Sequence, residues 1–178
     1  MGPPLKAQDI GAAFAQALGL HQRGRVAEAQ VLYRDILRVA PQHFDALYLL
    51  GVTHAQTGRL AEADPLIRKA LAVNPRSAAA HSDLGNVLSG LGRHEAAIES
   101  FDRAVTLKAD FAEAHLNRGN ALLKLARHAD ALASYDLAVA LKPRLPEAFI
   151  NRGVALLSLR SFDAALESLD RALALVPE

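Results

Sequence analysis

The chain has 178 residues, with 20 Lys and Arg against 19 Asp and Glu, seven His and no Cys. That excludes disulfides, thiolate metal sites and a thiol nucleophile, and a net charge of +1 leaves no electrostatic footprint for nucleic acid. Apolar residues make up 51% of the chain, enough for a real core, but Arg, Lys, Asp or Glu breaks every apolar stretch short of the roughly 20 residues a membrane helix needs.

In chain order, Met1-Gly2-Pro3-Pro4-Leu5-Lys6 carries no apolar signal core, so a soluble, cytoplasmic protein with no membrane partner is expected. Residues 1–9 read as a mobile leader. From residue 10 the sequence repeats itself. Pro41, Pro75, Pro143 and Pro177 lie on one grid of 34 residues, with Ala109 in the vacant slot. Gly51, Gly85, Gly119 and Gly153 lie on a second, which Ala17 completes, and Ala29, Ala63, Ala97, Ala131 and Ala165 make a third. With proline as position 32, the units are 10–43, 44–77, 78–111, 112–145 and 146–178.

Within each unit apolar residues recur twice at helical spacing around a short turn: Gly24-Arg25, Gly58-Arg59, Gly92-Arg93, Ala126-Arg127 and Arg160-Ser161. The pattern predicts first helices near 10–23, 44–57, 78–91, 112–125 and 146–159. Second helices are predicted near 27–40, 61–74, 95–108, 129–142 and 163–176. Sheet signals are missing, because aromatic residues are 5% of the chain and Val/Ile/Thr alternation does not occur. The expected class is all-α. A glycine inside a helix costs about 1 kcal/mol relative to alanine, so a glycine column needs a steric return. Close crossing of the two helices of a hairpin supplies it, with Ala63, Ala97, Ala131 and Ala165 on the facing helix and Tyr33, Ile67, Phe101, Tyr135 and Leu169 filling the space beside. Ala70, Ala104, Ala138 and Ala172 let the next hairpin approach. Proline ends the second helix, lacking an N–H and disfavouring a helical residue before it.

Gly at position 8, Ala at 20, a large apolar residue at 24, Ala at 27 and Pro at 32 resemble the tetratricopeptide repeat over residues 10–178. The first unit departs most, with Ala13, Ala17 and Ile36 in place of the usual residues. Asp83-Leu84-Gly85-Asn86, Asn117-Arg118-Gly119-Asn120 and Asn151-Arg152-Gly153 resemble the repeat arrays of O-GlcNAc transferase-like glycosyltransferases and of bacterial repeat proteins. The resemblance implies an α-solenoid of five hairpins in a right-handed superhelix, whose concave wall holds positions 2, 5, 6, 9, 12 and 13 of each first helix. It implies a protein-binding scaffold, with no catalytic residue, cofactor or metal. An alternative is the substrate-recruiting arm of a larger glycosyltransferase-like enzyme, and a third reading is an assembly element joined end to end.

The wall positions that the resemblance points to include Tyr48, Val52, Asp83, Asn86, Glu113, Asn117, Asn120, Lys124, Ile150, Asn151 and Val154. Amides can pair both N–H and C=O of an extended peptide; equally, they can bridge neighbouring hairpins. The cationic half of the two-carboxylate clamp known from chaperone-tail receptors of this family is missing, since Ser82, Glu147 and Asn151 stand where Lys, Lys and Arg are required. Asp45, Asp83, Glu113 and Glu147 against Lys124 favour a neutral or basic peptide partner.

The histidines read as structural, because His81/His115 and His94/His128 recur one helix-packing distance apart, about 8–10 Å, too far to share a zinc ion. Arg118 and Arg152 recur against Asp102, Asp136 and Asp170, and two ion-pair registers are open: each Arg with the earlier Asp or with the later one. No Gly-rich phosphate loop or Gly-x-Ser-x-Gly elbow occurs. Leu166, Leu169, Leu173 and Val176 would leave an apolar ridge on the last hairpin, so either the sequence is a fragment of a longer repeat protein or the ends of two copies cover each other, and self-association of the isolated chain is expected.

Overall fold

The computed structural model describes residues 6–176. The leader's expected mobility falls largely on residues 1–5, outside that range. A 3₁₀ turn at Ala7–Asp9 is followed by ten α-helices: α1 Ile10–Gln22, α2 Val26–Val39, α3 Phe44–Gln56, α4 Leu60–Val73, α5 Ala78–Gly90, α6 His94–Leu107, α7 Ala112–Lys124, α8 His128–Leu141, α9 Pro146–Ser158 and α10 Phe162–Leu173. No strand occurs among the described residues. The chain divides into two compact units, one reaching Val87 and the other starting at Leu88, with the division inside α5.

In the first unit α1 packs on α2, α3 on α4, and α2 on α3. Its core gathers Ala13, Ala17, Leu20, Ala29, Tyr33, Ile36, Ala46 and Leu50, with Phe14 and Leu66 against it. In the second unit α7 packs on α8 and α9 on α10, while α6 meets α7 and α8 meets α9. Phe101, Tyr135, Ala131, Ala138 and Ala165 are fully buried there.

Glycine has the predicted steric role at the hairpin crossings. A methyl group on Gly119 would stand 2.5 Å from Cε1 of Tyr135, one on Gly51 would stand 2.6 Å from Cγ1 of Ile67, and one on Gly153 would stand 2.9 Å from the Leu169 side chain. These are distances that real Cβ atoms do not adopt, and in each case the clash is with a large residue predicted to fill that space.

The turns share one mechanism. Arg25, Arg59, Arg93, Arg127 and Ser161 each return their N–H to the carbonyl five residues back, while the residue before each bonds three back. This is the Schellman termination, which needs a left-handed residue after the helix. Gly24, Gly58 and Gly92 supply it with φ near +75°, whereas Ala126 and Arg160 adopt φ of 56° and 60° despite their side chains.

Proline proves dispensable for ending the second helix. α6 stops at Leu107 in the same register as α2, α4 and α8, although Ala109 stands in the proline slot. Lys108 turns extended at φ −142° and caps back to the Ala104 carbonyl. The last helix is shorter than predicted, ending at Leu173 rather than near 176. Pro65 lies inside α4, which continues through it.

Candidate functional site

The predicted wall positions sit on α1, α3, α5, α7 and α9, and in each unit side-chain bonds tie consecutive first helices together. In the first unit His21 Nε2 lies 2.9 Å from Gln56 Oε1, joining α1 to α3. The Tyr48 hydroxyl donates to Asp83 Oδ2 at 2.6 Å, joining α3 to α5. Asp83 also receives a side-chain hydrogen bond from Asn86. Burial is the leading influence on this pair. It pushes the Asp83 carboxyl above the usual carboxylate range against the two donors that favour its charge, and it pushes the Tyr48 hydroxyl up, helped by the neighbouring carboxylate. Only neutral groups donate to Asp83, and among the described residues no cation is paired with it. Val52 lies half-buried one turn beyond Tyr48 on α3.

In the second unit the amides form a small network. Asn120 Oδ1 accepts from the Tyr135 hydroxyl at 2.9 Å and from Asn151 Nδ2 at 2.8 Å. Both lone pairs of that oxygen are thereby engaged, leaving the Asn120 amide N–H groups and the second N–H and the carbonyl of Asn151 as the network's remaining polar capacity. Burial raises the Tyr135 hydroxyl, with Glu147 adding to it. Asn120 and Asn151 therefore do bridge neighbouring hairpins, which was one of the two roles open for them. Asn117 is half-buried and already engaged. Beside them Ile150, Val154 and Leu157 stand 43%, 41% and 45% exposed on α9, an apolar strip at helical spacing. Lys124 is exposed at the end of α7.

Glu113 takes a different place. It pairs with Lys142 just past α8, and that ammonium holds its carboxyl below the ordinary range. It thus contributes less free negative charge than the sequence implies. Tyr135 fills the space beside Gly119, and its hydroxyl also orients Asn120. The spacing offered a signal, because Asn120 and Tyr135 lie on facing helices of one hairpin.

The arginine register is decided. Arg118 Nε bonds Asp102 Oδ1 at 2.6 Å and its Nη1 donates to Ser134 Oγ at 2.6 Å; Arg152 Nε bonds Asp136 Oδ1 at 2.7 Å. Each Arg takes the earlier Asp. His81 and His115 bond the backbone carbonyls of Pro75 and Ala109 through Nε2, so both secure a first helix to the loop before it.

Two tetratricopeptide-repeat family models match the chain, one at residues 63–110, 83–146 and 116–178 and the other at residues 20–82. The chain belongs to the tetratricopeptide-repeat family. Solved tetratricopeptide-repeat structures share its fold. MamA 41-end from Desulfovibrio magneticus RS-1 is 19% identical, with 96% of this chain and 97% of that one covered and a TM-score of 0.89. PilF of Pseudomonas aeruginosa is 25% identical, covering 96% and 78%, with a TM-score of 0.83. YrrB, described as a TPR protein with an unusual peptide-binding site, is 25% identical, covering 93% and 86%, with a TM-score of 0.82. A search of curated protein sequences gives no match. Tetratricopeptide repeats and these neighbours support a protein-interaction scaffold. No described helix is long and apolar enough to cross a membrane.

Proposed function

We propose that this tetratricopeptide-repeat protein is a non-catalytic scaffold that holds a peptide or protein segment against the inner faces of its first helices, with neutral or basic segments preferred. In the first unit the binding surface is Tyr48, Val52, Asp83 and Asn86. In the second it is Asn117, Asn120, Lys124, Ile150, Asn151 and Val154, with Glu113 at its edge. The observation that carries the reading is Asp83, a carboxylate withdrawn from water and held by neutral donors alone. A half-buried carboxylate without a counter-ion is disfavoured in its charged form, and a Lys or Arg side chain of a bound segment supplies the missing cation. On α9 the exposed apolar strip gives anchors next to the amides, a combination of the kind that holds extended peptides.

The test is a peptide array of basic, neutral and acidic segments, repeated with Asp83→Asn and with Asn117→Ala/Asn151→Ala. Basic segments should bind most tightly and lose about 10-fold in affinity with Asp83→Asn. Tighter binding of acidic tails, or capture indifferent to both variants, overturns the reading.

A further inference from the structure

The arginines of the hairpin turns find different partners. Arg25 pairs with Glu28 and Arg127 with Asp130, each three residues on, at 2.6 Å. Arg59 has Glu62 at the same offset and does not pair with it. Its Nε donates to Thr57 Oγ1 at 3.1 Å and its Nη2 to Gln30 Oε1 at 2.8 Å, so the guanidinium reaches out of its own turn to α2. Arg34, one turn beyond Gln30 on α2, brings its Nη2 to 3.4 Å from the same oxygen. Two cations therefore share one neutral acceptor. Neither is paired with a carboxylate among the described residues.

The second repeat holds the same pair with an anion in it. Gln30 and Arg34 correspond to Asp64 and Arg68 one period later, and there Arg68 bonds the Asp64 carboxylate. The first repeat keeps the cation and puts an amide in place of the acid. That amide is 3% exposed and its Nε2 has no hydrogen-bond partner, nor has Nδ1 of His54, which is 9% exposed. Buried polar groups in that state are exceptional. The proton affinity of His54 is lowered by its burial first, then by Arg59 and Arg34, with Glu62 opposing them, so both guanidiniums lie within reach of the imidazole. Arg34 and Arg59 are themselves exposed, and an anion reaches them from solvent without opening the core.

We propose that Gln30, Arg34 and Arg59 form an oxyanion site where α2 meets the α3–α4 turn, separate from the peptide-binding faces, and that its ligand is a phosphoryl group. A phosphate monoester carries a charge of about −1.5 to −2 at pH 7, which matches two guanidiniums, whereas a carboxylate neutralises one. Its oxygens accept from arginine N–H groups in the strong, charge-assisted geometry. Once the anion replaces Gln30 Oε1 as acceptor for the arginines, a half-turn of the amide exchanges its oxygen and nitrogen, and the orphaned Nε2 becomes a third donor. Glu62 acts against the anion.

Inorganic phosphate and, separately, N-acetyl-phosphoserine amide are titrated at constant ionic strength into the labelled full chain, with the NMR signals of arginine Nε–H groups and the His54 ring as readout. Saturating shifts should concentrate on Arg34, Arg59 and His54 and leave Arg25 and Arg127 unmoved. Arg34→Gln and Arg59→Gln should each weaken binding about 10-fold, and Glu62→Gln should tighten it. Gln30→Glu, which restores the carboxylate that Asp64 provides one repeat later, should abolish binding and raise the melting temperature. Tighter binding of the ester assigns the site to a phosphorylated partner, and tighter binding of the free ion assigns it to inorganic phosphate. Shifts that never saturate, shifts spread equally over Arg25 and Arg127, or binding indifferent to both arginine variants overturns the proposal. If Gln30→Glu fails to fold, the arginine variants decide, since those side chains lie in solvent.

Discussion

Tyr48 donates its hydroxyl to Asp83 across 2.6 Å, so a first helix of one hairpin is tied to the first helix of the next by a partly buried phenol and carboxylate. Burial outweighs the two hydrogen bonds that Asp83 accepts, and its carboxyl titrates above the ordinary range. The folded state therefore holds the Asp83 proton to a higher pH than the unfolded chain does. The stability this confers is complete below the unfolded carboxylate range, about pH 4, and is lost as pH rises through the elevated value.

Asp83→Asn removes that dependence while keeping an oxygen to accept the Tyr48 hydroxyl. The variant should melt above the wild type at pH 7, and the gap should close as the pH falls toward 3. Thermal melts across that range check it. A variant less stable at pH 7 would mean that the hydrogen bonds, rather than burial, dominate at this carboxylate. A gain in stability together with a loss of basic-peptide affinity would identify a residue kept for binding at the expense of the fold.

The five hairpin turns contain their own control. Gly24, Gly58 and Gly92 take the left-handed position without strain, while Ala126 and Arg160 occupy it at φ 56° and 60°. A side chain in that region costs roughly 1–2 kcal/mol. Ala126→Gly and Arg160→Gly should each stabilise the chain by about 1 kcal/mol in urea denaturation, and Gly92→Ala should destabilise it by a similar amount. Equal stability of all three variants would show that the turn relaxes around the extra carbon.

Two buried tyrosines at equivalent repeat positions differ in one respect. The Tyr135 hydroxyl donates to Asn120, whereas the Tyr33 hydroxyl, fully buried, has no hydrogen-bond partner among the described residues. Removing a satisfied buried hydroxyl costs about 1 kcal/mol, and removing an unsatisfied one is neutral or favourable. Tyr135→Phe should lower the unfolding free energy by about that amount, and Tyr33→Phe should leave it level or raise it. Chemical denaturation of the pair gives the comparison. A loss at Tyr33 as large as that at Tyr135 would point to a bound water on its hydroxyl.

The sequence alone determined the period, the ten helices and residues that meet inside the hairpins α3–α4, α7–α8 and α9–α10. Those features depend on contacts between neighbours in sequence, and a repeated glycine opposite a repeated large side chain leaves its mark at a fixed spacing. Gly119 against Tyr135 and Gly153 against Leu169 were legible for that reason. Tertiary structure decided what the pattern leaves degenerate. Arg118 could reach an aspartate before or after it, and only the packing of α7 between α6 and α8 selects Asp102. Asn120 could have faced outward, but the hydroxyl of Tyr135 and the amide of Asn151 converge on its oxygen. Glu113 lost its independence to Lys142, 29 residues away, a pairing that no helical spacing encodes. Where a second helix stops is likewise tertiary: α6 ends in register without proline. Helical periodicity specifies which face a residue occupies, while the partner it finds there depends on distances set by the packed backbones.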